Sequence, residues 1–330
     1  MSARDDRRVT ALVRRTITEA TEIGPFRDAL LTLLGRPGRV LAPGGVAKWP
    51  AFVFGLCRAL GGAPAAAIDA AVAVEFVAAA ADVVDDLVDD EWDLAALPWR
   101  RALNASHALP WLAQRRAAAL GAVLGSARAD LIGAILARGY LAAAAGEDID
   151  LALGALPDAS EEAAHDMTRR KSGSLVAMAC QVGAATAAEE PTILEVAGRL
   201  GMHIGIVSQL LNDLAGVDPA RIGLGSDLAL RKKTLPVTYA LRCAREEGLV
   251  ELTDWAASAG ALAPGEDRRL ATAILQLGGA HYTWVVAAVH RREALVAARE
   301  LANLAGGRGA ERQLRRLIPA VPLRAGDTAG

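Results

Sequence analysis

The sequence predicts an all-α protein, and three observations carry that reading. Hydrophobic residues fill 53% of the 330 positions, but aromatics only 4%. Roughly 70 positions are alanine, far above ordinary usage, and alanine favours helices while filling a sheet face poorly. Segments of helical period run nearly end to end, whereas alternating runs of β-branched residues bounded by turn pairs are missing.

Short Gly/Pro breaks separate the elements in order. They fall from Gly35 through Gly45, at Gly61-Gly62, Leu97-Pro98, Gly146 and Leu156-Pro157, then at Gly223 to Gly225, Gly260 to Gly265 and Gly306-Gly307. About ten segments of helical length lie between them. The most apolar stretch, Ala63 to Ala81, starts beside Pro64, a residue suited to a first helical turn. It is interrupted by Asp69 and Glu75 and consists mostly of alanine, so it reads as a buried helix, and no transmembrane segment is expected. The expected architecture is one domain over residues 1–330, a bundle of long helices around a central cavity, with frayed ends at 1–20 and 324–330.

A net charge of −2 leaves no dominant basic face and argues against nucleic acid as a partner. Cys57, Cys180 and Cys243 are widely spaced and odd in number, which suits a reducing cytoplasm and gives no metal pattern. The start, Asp5-Asp6-Arg7-Arg8-Val9, carries no secretory signal, so a cytoplasmic location is expected. Among 36 basic residues only four are lysine, Lys48, Lys171, Lys232 and Lys233. A lysine surviving in an arginine-rich chain suggests a need for a compact ammonium.

Residues 82 to 93 contain seven acids in twelve positions. Asp82, Asp86, Asp89 and Asp93 share one helix face, and Asp85 and Asp89 lie one turn apart, about 6 Å along the axis. An acidic run alone reads as a solvated face. Here no Lys or Arg compensates it, apolar pairs are threaded through it, and a helix C-terminus adds further negative potential. Hard dications with oxygen ligands would relieve that repulsion. A second patch, Gln209-Leu210-Leu211-Asn212-Asp213, puts amide and carboxylate oxygens together. It is followed by Asp218 and by Asp227 through Pro236, which includes Lys232-Lys233. Arg170-Lys171-Ser172 offers further cations beside a hydroxyl. Taken singly, these read as helix caps and solvated helix starts.

In this order and spacing the motifs resemble the trans-isoprenyl diphosphate synthase, or polyprenyl synthetase, superfamily. Asp85-Asp86-Leu87-Val88-Asp89 resembles its first Asp-Asp-x-x-Asp motif, with Glu75 ten residues upstream. Lys171-Ser172 resembles its Lys-Thr motif. Gln209 to Asp213 resembles its second acidic motif, and Asp227 to Pro236 the segment that follows. The resemblance implies the isoprenoid synthase fold, an allylic prenyl diphosphate substrate, three Mg²⁺ and a homodimer. It implies metal binding by Asp85, Asp86, Asp89, Asn212, Asp213 and Asp218. Diphosphate binding falls to Lys171, Arg170, Lys232, Lys233 and Gln209, and Phe76, Ala80 and Ala81 line the pocket. The small residues Ala78 to Ala81 imply a geranylgeranyl or longer chain.

Three departures direct the functional expectation. The family's Gly-Lys-Arg-x-Arg-Pro pocket for isopentenyl diphosphate aligns with Gly38 to Pro43 or with Gly45 to Pro50, and either alignment keeps one cation of three. Each lost charge-assisted contact costs about 1.5–3 kcal/mol. The family's Arg-Arg after the first motif falls at Leu94-Ala95, with Arg100-Arg101 six residues later. Asn212 and Gly216 stand where the second motif has aspartates, leaving Asp218 or Asp227 to supply a carboxylate. These losses point to a class I terpene synthase that ionises an allylic diphosphate and cyclises it, with an elongating prenyltransferase as the alternative. A non-catalytic subunit is disfavoured by intact Asp85, Asp86, Asp89, Lys171 and Lys232, because it would have no need to keep mutually repelling acids. Phe52, Phe76, Trp92, Trp99 and Trp284 are candidate aromatic faces for a carbocation. His203 and His281 lack metal-type spacing and read as structural.

Overall fold

In the computed structural model the described residues are 2–43, 48–93, 95–221, 227–258 and 260–321. Every regular element among them is helical: α1 (Ala3–Ala20), α2 (Gly24–Leu34), α3 (Lys48–Ala59), α4 (Pro64–Val88), α5 (Trp99–Ser106), α6 (Leu109–Ala119), α7 (Gly121–Leu124), α8 (Ser126–Gly154), α9 (Glu161–Thr168), α10 (Ser174–Ala185), α11 (Pro191–Gly216), α12 (Leu235–Glu247), α13 (Val250–Ala257), α14 (Glu266–Gln276), α15 (Gly279–Leu304) and α16 (Arg308–Arg315). A π-helical turn, Arg169–Gly173, joins α9 to α10. The chain divides into two compact units, each drawn from discontinuous segments. No linker in sequence marks that division, so composition alone reads as one domain.

The first unit comprises Met1–Leu141, Ser174–Met202 and Ala294–Ile318. Its axis is α4, which packs against α1, α2, α3, α5, α6 and α10. Every residue from Ala70 to Ala80 is buried, which is why alanine dominates there: six neighbours close around one helix only when its side chains are short. Residues 3–20, where fraying is expected, form helix α1. Ser2 and Asp5 form a reciprocal capping box at the start of α1. Val9, Leu12, Val13 and Ile17 then make a buried stripe, leaving the arginines on the outer face. Residues 324–330 lie outside the described residues.

The second unit comprises Ala142–Gly173, His203–Glu293 and the stretch opening at Pro319. Its core gathers Val217, Leu228, Val237, Leu241, Trp255, Leu270 and Ile274. One helix among the described residues, α8, is long and apolar enough to cross a membrane by length and composition, and 39% of its apolar window is buried.

Three histidines of this unit form a linear chain. His165 Nε2 lies 3.0 Å from His290 Nε2, and His290 Nδ1 lies 2.9 Å from His203 Nδ1. Both nitrogens of His290 are therefore engaged by imidazoles, with Asp166 and Arg169 acting on His165. Each bond needs one hydrogen, so the trio takes one extra proton with both bonds intact, and a second proton breaks one. Burial first, then His203 and His165, lower the His290 pKa to about 4. This lies below the unfolded value of 6.5, so neutral His290 supports the fold fully above pH 6.5 and loses that contribution as pH falls through about 4. Thermal melts between pH 7 and pH 4 should show a decline that is flattened in His290→Leu. An equal decline in both proteins would refute this origin.

Candidate active site

The first acidic motif occupies the last turns of α4. Helix α4 stops at Asp89, whose N–H donates to the Asp85 carbonyl at 3.0 Å, while Glu91 N–H reaches back to the Asp86 carbonyl at 2.9 Å. Between them Asp90 takes a left-handed conformation at φ 56°, closing the helix directly after the motif. Asp85, Asp86 and Asp89 are half-buried at this end.

Two arginines from the turn after α2 meet these acids. Gly38 turns the chain at φ 81°. Arg36 pairs with Asp86 and lies 4.5 Å from the Trp92 ring centroid. Arg39, buried, pairs with Asp82, and its Nη1 lies 3.8 Å from Glu75 Oε1. The Val40 N–H donates to that same Glu75 oxygen at 3.1 Å. Burial dominates both members of the buried pair, raising the Glu75 pKa and lowering that of Arg39. Arg39 Nη1 and Glu75 Oε2 make no hydrogen bond, so this group of charges is held by packing as much as by contact.

Of these two cations Arg36 pairs with a residue of the first motif, Asp86, while Arg39 is held by Asp82 and Glu75 upstream of it. Arg36 precedes both alignments, Arg39 is the cation that the first alignment keeps, and Gly45 to Ala47 of the second lie outside the described residues. Leu94 is likewise outside them, and Arg100-Arg101 face elsewhere. Arg101 donates to the Pro25 carbonyl at 2.5 Å, and Arg100 lies over Trp99 at 4.8 Å. Of the pocket candidates, Phe76 and Ala80 are fully buried on one face of α4, while Ala81 is half-buried.

The second unit assembles the other motifs around the π-helical turn, a local widening common at functional sites. Helices α8 and α11 approach that turn through glycines. A Cβ on Gly146 would lie 2.3 Å from Lys171 N, and one on Gly205 would lie 2.5 Å from the Ser172 carbonyl. The close approach delivers Lys171 between two acids that the sequence reading missed, Glu147 Oε2 at 2.8 Å and Asp150 Oδ2 at 2.7 Å. Their signal was the one-turn Glu147/Asp150 spacing directly after Gly146 on an otherwise apolar helix. Ser172 Oγ donates to Gln209 Oε1 at 2.5 Å, and Gln209 Nε2 donates to Asp213 Oδ1 at 2.9 Å. Arg170 Nε donates to Asp166 at 2.7 Å.

Asn212 and Asp213, neighbours in sequence, diverge. Asn212 is exposed, whereas Asp213 is 1% exposed with Oδ2 lacking a hydrogen-bond partner. Burial first, then the charges of Asp227 and Asp150, push the Asp213 pKa up to about 8. Asp218 turns to its own backbone, accepting from Ala220 N–H at 3.0 Å, and lies 3.7 Å from Arg221. Asp227 instead packs against Gly216, where a Cβ would come within 2.1 Å of its Oδ2. Its carboxylate thus fills the space that the absent side chain at 216 leaves. Lys233 is fully buried with Nζ 4.4 Å from the Trp255 ring, while Lys232 is half-exposed.

Among the described residues no three His, Cys, Asp or Glu side chains already converge on a metal position. The donors nevertheless suit a hard dication, since Asp213 has a buried oxygen without a donor and two further carboxylates acting on it. With its folded pKa above 3.8, protonated Asp213 supports the fold fully below pH 3.8, and that support is lost as pH rises through about 8. A dication competes with the proton, so Mg²⁺ should raise Tm more at pH 8.5 than at pH 6, and Asp213→Asn should abolish the difference. A pH-independent Mg²⁺ effect would count against Asp213 as a ligand. Gly216→Ala should displace the Asp227 carboxylate and lower turnover about tenfold or more with helical content retained; an unaffected rate would show that the Asp227 position is immaterial.

Residues 32–259 match the Polyprenyl synthetase family. A farnesyl diphosphate synthase of Mycobacterium tuberculosis is 31% identical over 268 residues, covering 75% of this chain and 71% of that protein. The crystal structure of a polyprenyl synthetase from Streptomyces coelicolor A3(2) superposes with TM-score 0.78 at 24% identity, over 95% of this chain and 96% of that one. A polyprenyl synthase from Caulobacter crescentus CB15, solved with calcium and isoprenyl diphosphate, gives 0.74 at 22% identity, over 94% and 95%. The order of acidic motifs, lysines and helices together with these matches makes the chain a member of the polyprenyl synthetase family, an enzyme with the all-α isoprenoid synthase fold.

Proposed function

We propose that the chain is a Mg²⁺-dependent prenyltransferase that ionises an allylic prenyl diphosphate and couples it to isopentenyl diphosphate, making a geranylgeranyl or longer product. The observation that carries this reading is the pair Arg36 and Arg39 beside the first acidic motif. The expectation of a cyclase rested on the loss of cations there, and half-buried Arg36, which neither alignment counts, adds a guanidinium that a second diphosphate would meet, with Arg39 buried behind it. The named activity of the Mycobacterium relative supports the same reading.

Mg²⁺, when bound, neutralises the leaving diphosphate and so favours C–O ionisation. Asp85, Asp86 and Asp89 would hold it at the first motif, and Asp213 and Asp227 at the second. Within the second unit, Lys171 and Lys232 would supply ammonium charge to a diphosphate, and Gln209 fixes the Asp213 carboxylate. The stretch Phe76 to Ala81 of α4 carries no nucleophilic side-chain atom, so it would not quench an allylic cation. A homodimer belongs to this reading, and the apolar, part-buried α8 with Leu141 69% exposed is the surface that supports it.

Asn212 and Gly216 favour a second reading, cyclisation without a second substrate, because both weaken the acidic motif. Product analysis with Mg²⁺ and geranyl, farnesyl or geranylgeranyl diphosphate separates the two. A longer linear diphosphate should appear only when isopentenyl diphosphate is added, and Ala81→Phe should shorten it. A hydrocarbon or alcohol from the allylic substrate alone would replace transfer by cyclisation.

A further inference from the structure

Among the described residues only two that are not glycine adopt a left-handed backbone, and both close turns that carry acids: Asp90 after the first motif and Arg231, at φ 57°, after Asp227. Such conformations are disfavoured for residues with a side chain and persist where surrounding contacts enforce them. At Arg231 those contacts are explicit. Arg231 N–H donates to the Leu228 carbonyl at 3.2 Å and Lys232 N–H to the Asp227 carbonyl at 2.8 Å, the paired bonds of a Schellman cap with arginine in the place of glycine. A glycine would make this turn without strain, so the backbone does not explain the side chain.

The side chain explains itself by what it holds. Arg231 Nη1 donates to the Trp255 carbonyl at 2.5 Å, Nη2 donates to the Gly260 carbonyl, and the guanidinium carbon lies 5.9 Å from the Trp255 ring. Lys233, two residues on and fully buried, sets its ammonium 4.4 Å from the same ring and 3.3 Å from the Arg231 carbonyl. Trp255 is 3% exposed in the cluster that also holds Leu228 and Val217, so it is a fixed post. Two alternate cations thus bind one buried tryptophan, with half-exposed Lys232 between them and the Asp227 carboxylate one turn back against Gly216.

We propose that Arg231, Lys233 and Trp255 form a clasp that positions Lys232 for the diphosphate, making Arg231 and Lys233 positioning residues rather than ligands. The proposal rests on the reading of Lys232 as a diphosphate cation. A flexible lysine loses binding when its backbone is free to shift, because the entropy of ordering it must then be met on binding. The clasp meets that cost in the folded protein.

A double-mutant cycle tests this with inorganic diphosphate and Mg²⁺ as the calorimetric probe on the full chain. Arg231→Gly and Lys232→Ala should each weaken binding about tenfold, ~1.4 kcal/mol. The double variant should be no weaker than Lys232→Ala alone, since a positioning residue acts only through the group it positions. Arg231→Lys, able to keep one of the two carbonyl bonds, should recover part of the loss, and KM for the allylic diphosphate should rise in parallel. Multiplicative losses in the double variant, or wild-type binding by Arg231→Gly, would overturn the clasp. Wild-type binding by Lys232→Ala would instead remove the diphosphate role of Lys232, and the clasp with it. Circular dichroism checks the fold, and if the glycine variant does not fold, Arg231→Gln carries the same cycle.

Discussion

A carboxylate taken out of water must meet positive charge or take up a proton, and most of the polar architecture of this chain follows from that constraint. Helix α4 meets it with Arg36 on Asp86 of the first motif, half-buried over Trp92, and with Arg39 on Asp82, buried beside Glu75. The second unit meets it with Lys171, clamped by Glu147 and Asp150. Asp213 goes unmet in this way. It keeps a buried oxygen without a donor, and its pKa climbs to about 8. A group left in that condition is costly to the fold unless function requires it, because Asn at the same place would pack as well and carry no charge. Position 212 already makes that substitution and is exposed, so the chain keeps the ionisable residue where it is most expensive and drops it where it is cheap.

Backbone economy serves the same end. Glycines at 146 and 205 let two helices touch the π-helical turn at distances that any side chain would forbid, which is how Lys171 and Ser172 come to share one network with Gln209 and Asp213. Gly216 works in the opposite sense. Its missing side chain is a space, and Asp227 occupies it from eleven residues away in sequence. A motif written as consecutive letters therefore understates the site, since a carboxylate lost at one position returns from another.

How much of this was legible follows from which interactions are local. Helical class and the order of the motifs depend on composition and on spacing within single helices, and both read directly. The capped helix at residues 3–20 was legible in principle, because Ser2 and Asp5 stand at capping-box spacing ahead of an apolar stripe, but the flanking arginines masked it. Arg36 and Arg39 were not legible, because the turn through Gly38 sets which of several basic residues meets an acid 43 positions later. The choice between Asp218 and Asp227 was equally closed to sequence: one carboxylate is consumed by its own backbone and the other by a neighbour's missing Cβ.

The cation count near the first motif illustrates why such closed questions matter for function. Matching letters to a pattern in a fixed register gave one cation and so favoured a reaction with one diphosphate. Geometry gives two guanidiniums, each charged at any pH the protein meets and each already on a carboxylate. An arginine paired with an acid is preorganised, because its side-chain entropy is spent in the folded state, and under the proposed transfer reaction a diphosphate with its own dications would replace one anionic partner by another. That exchange costs less than assembling a pocket from free side chains. What composition counts as a loss of cations, position turns into one guanidinium on the first motif and one buried behind it.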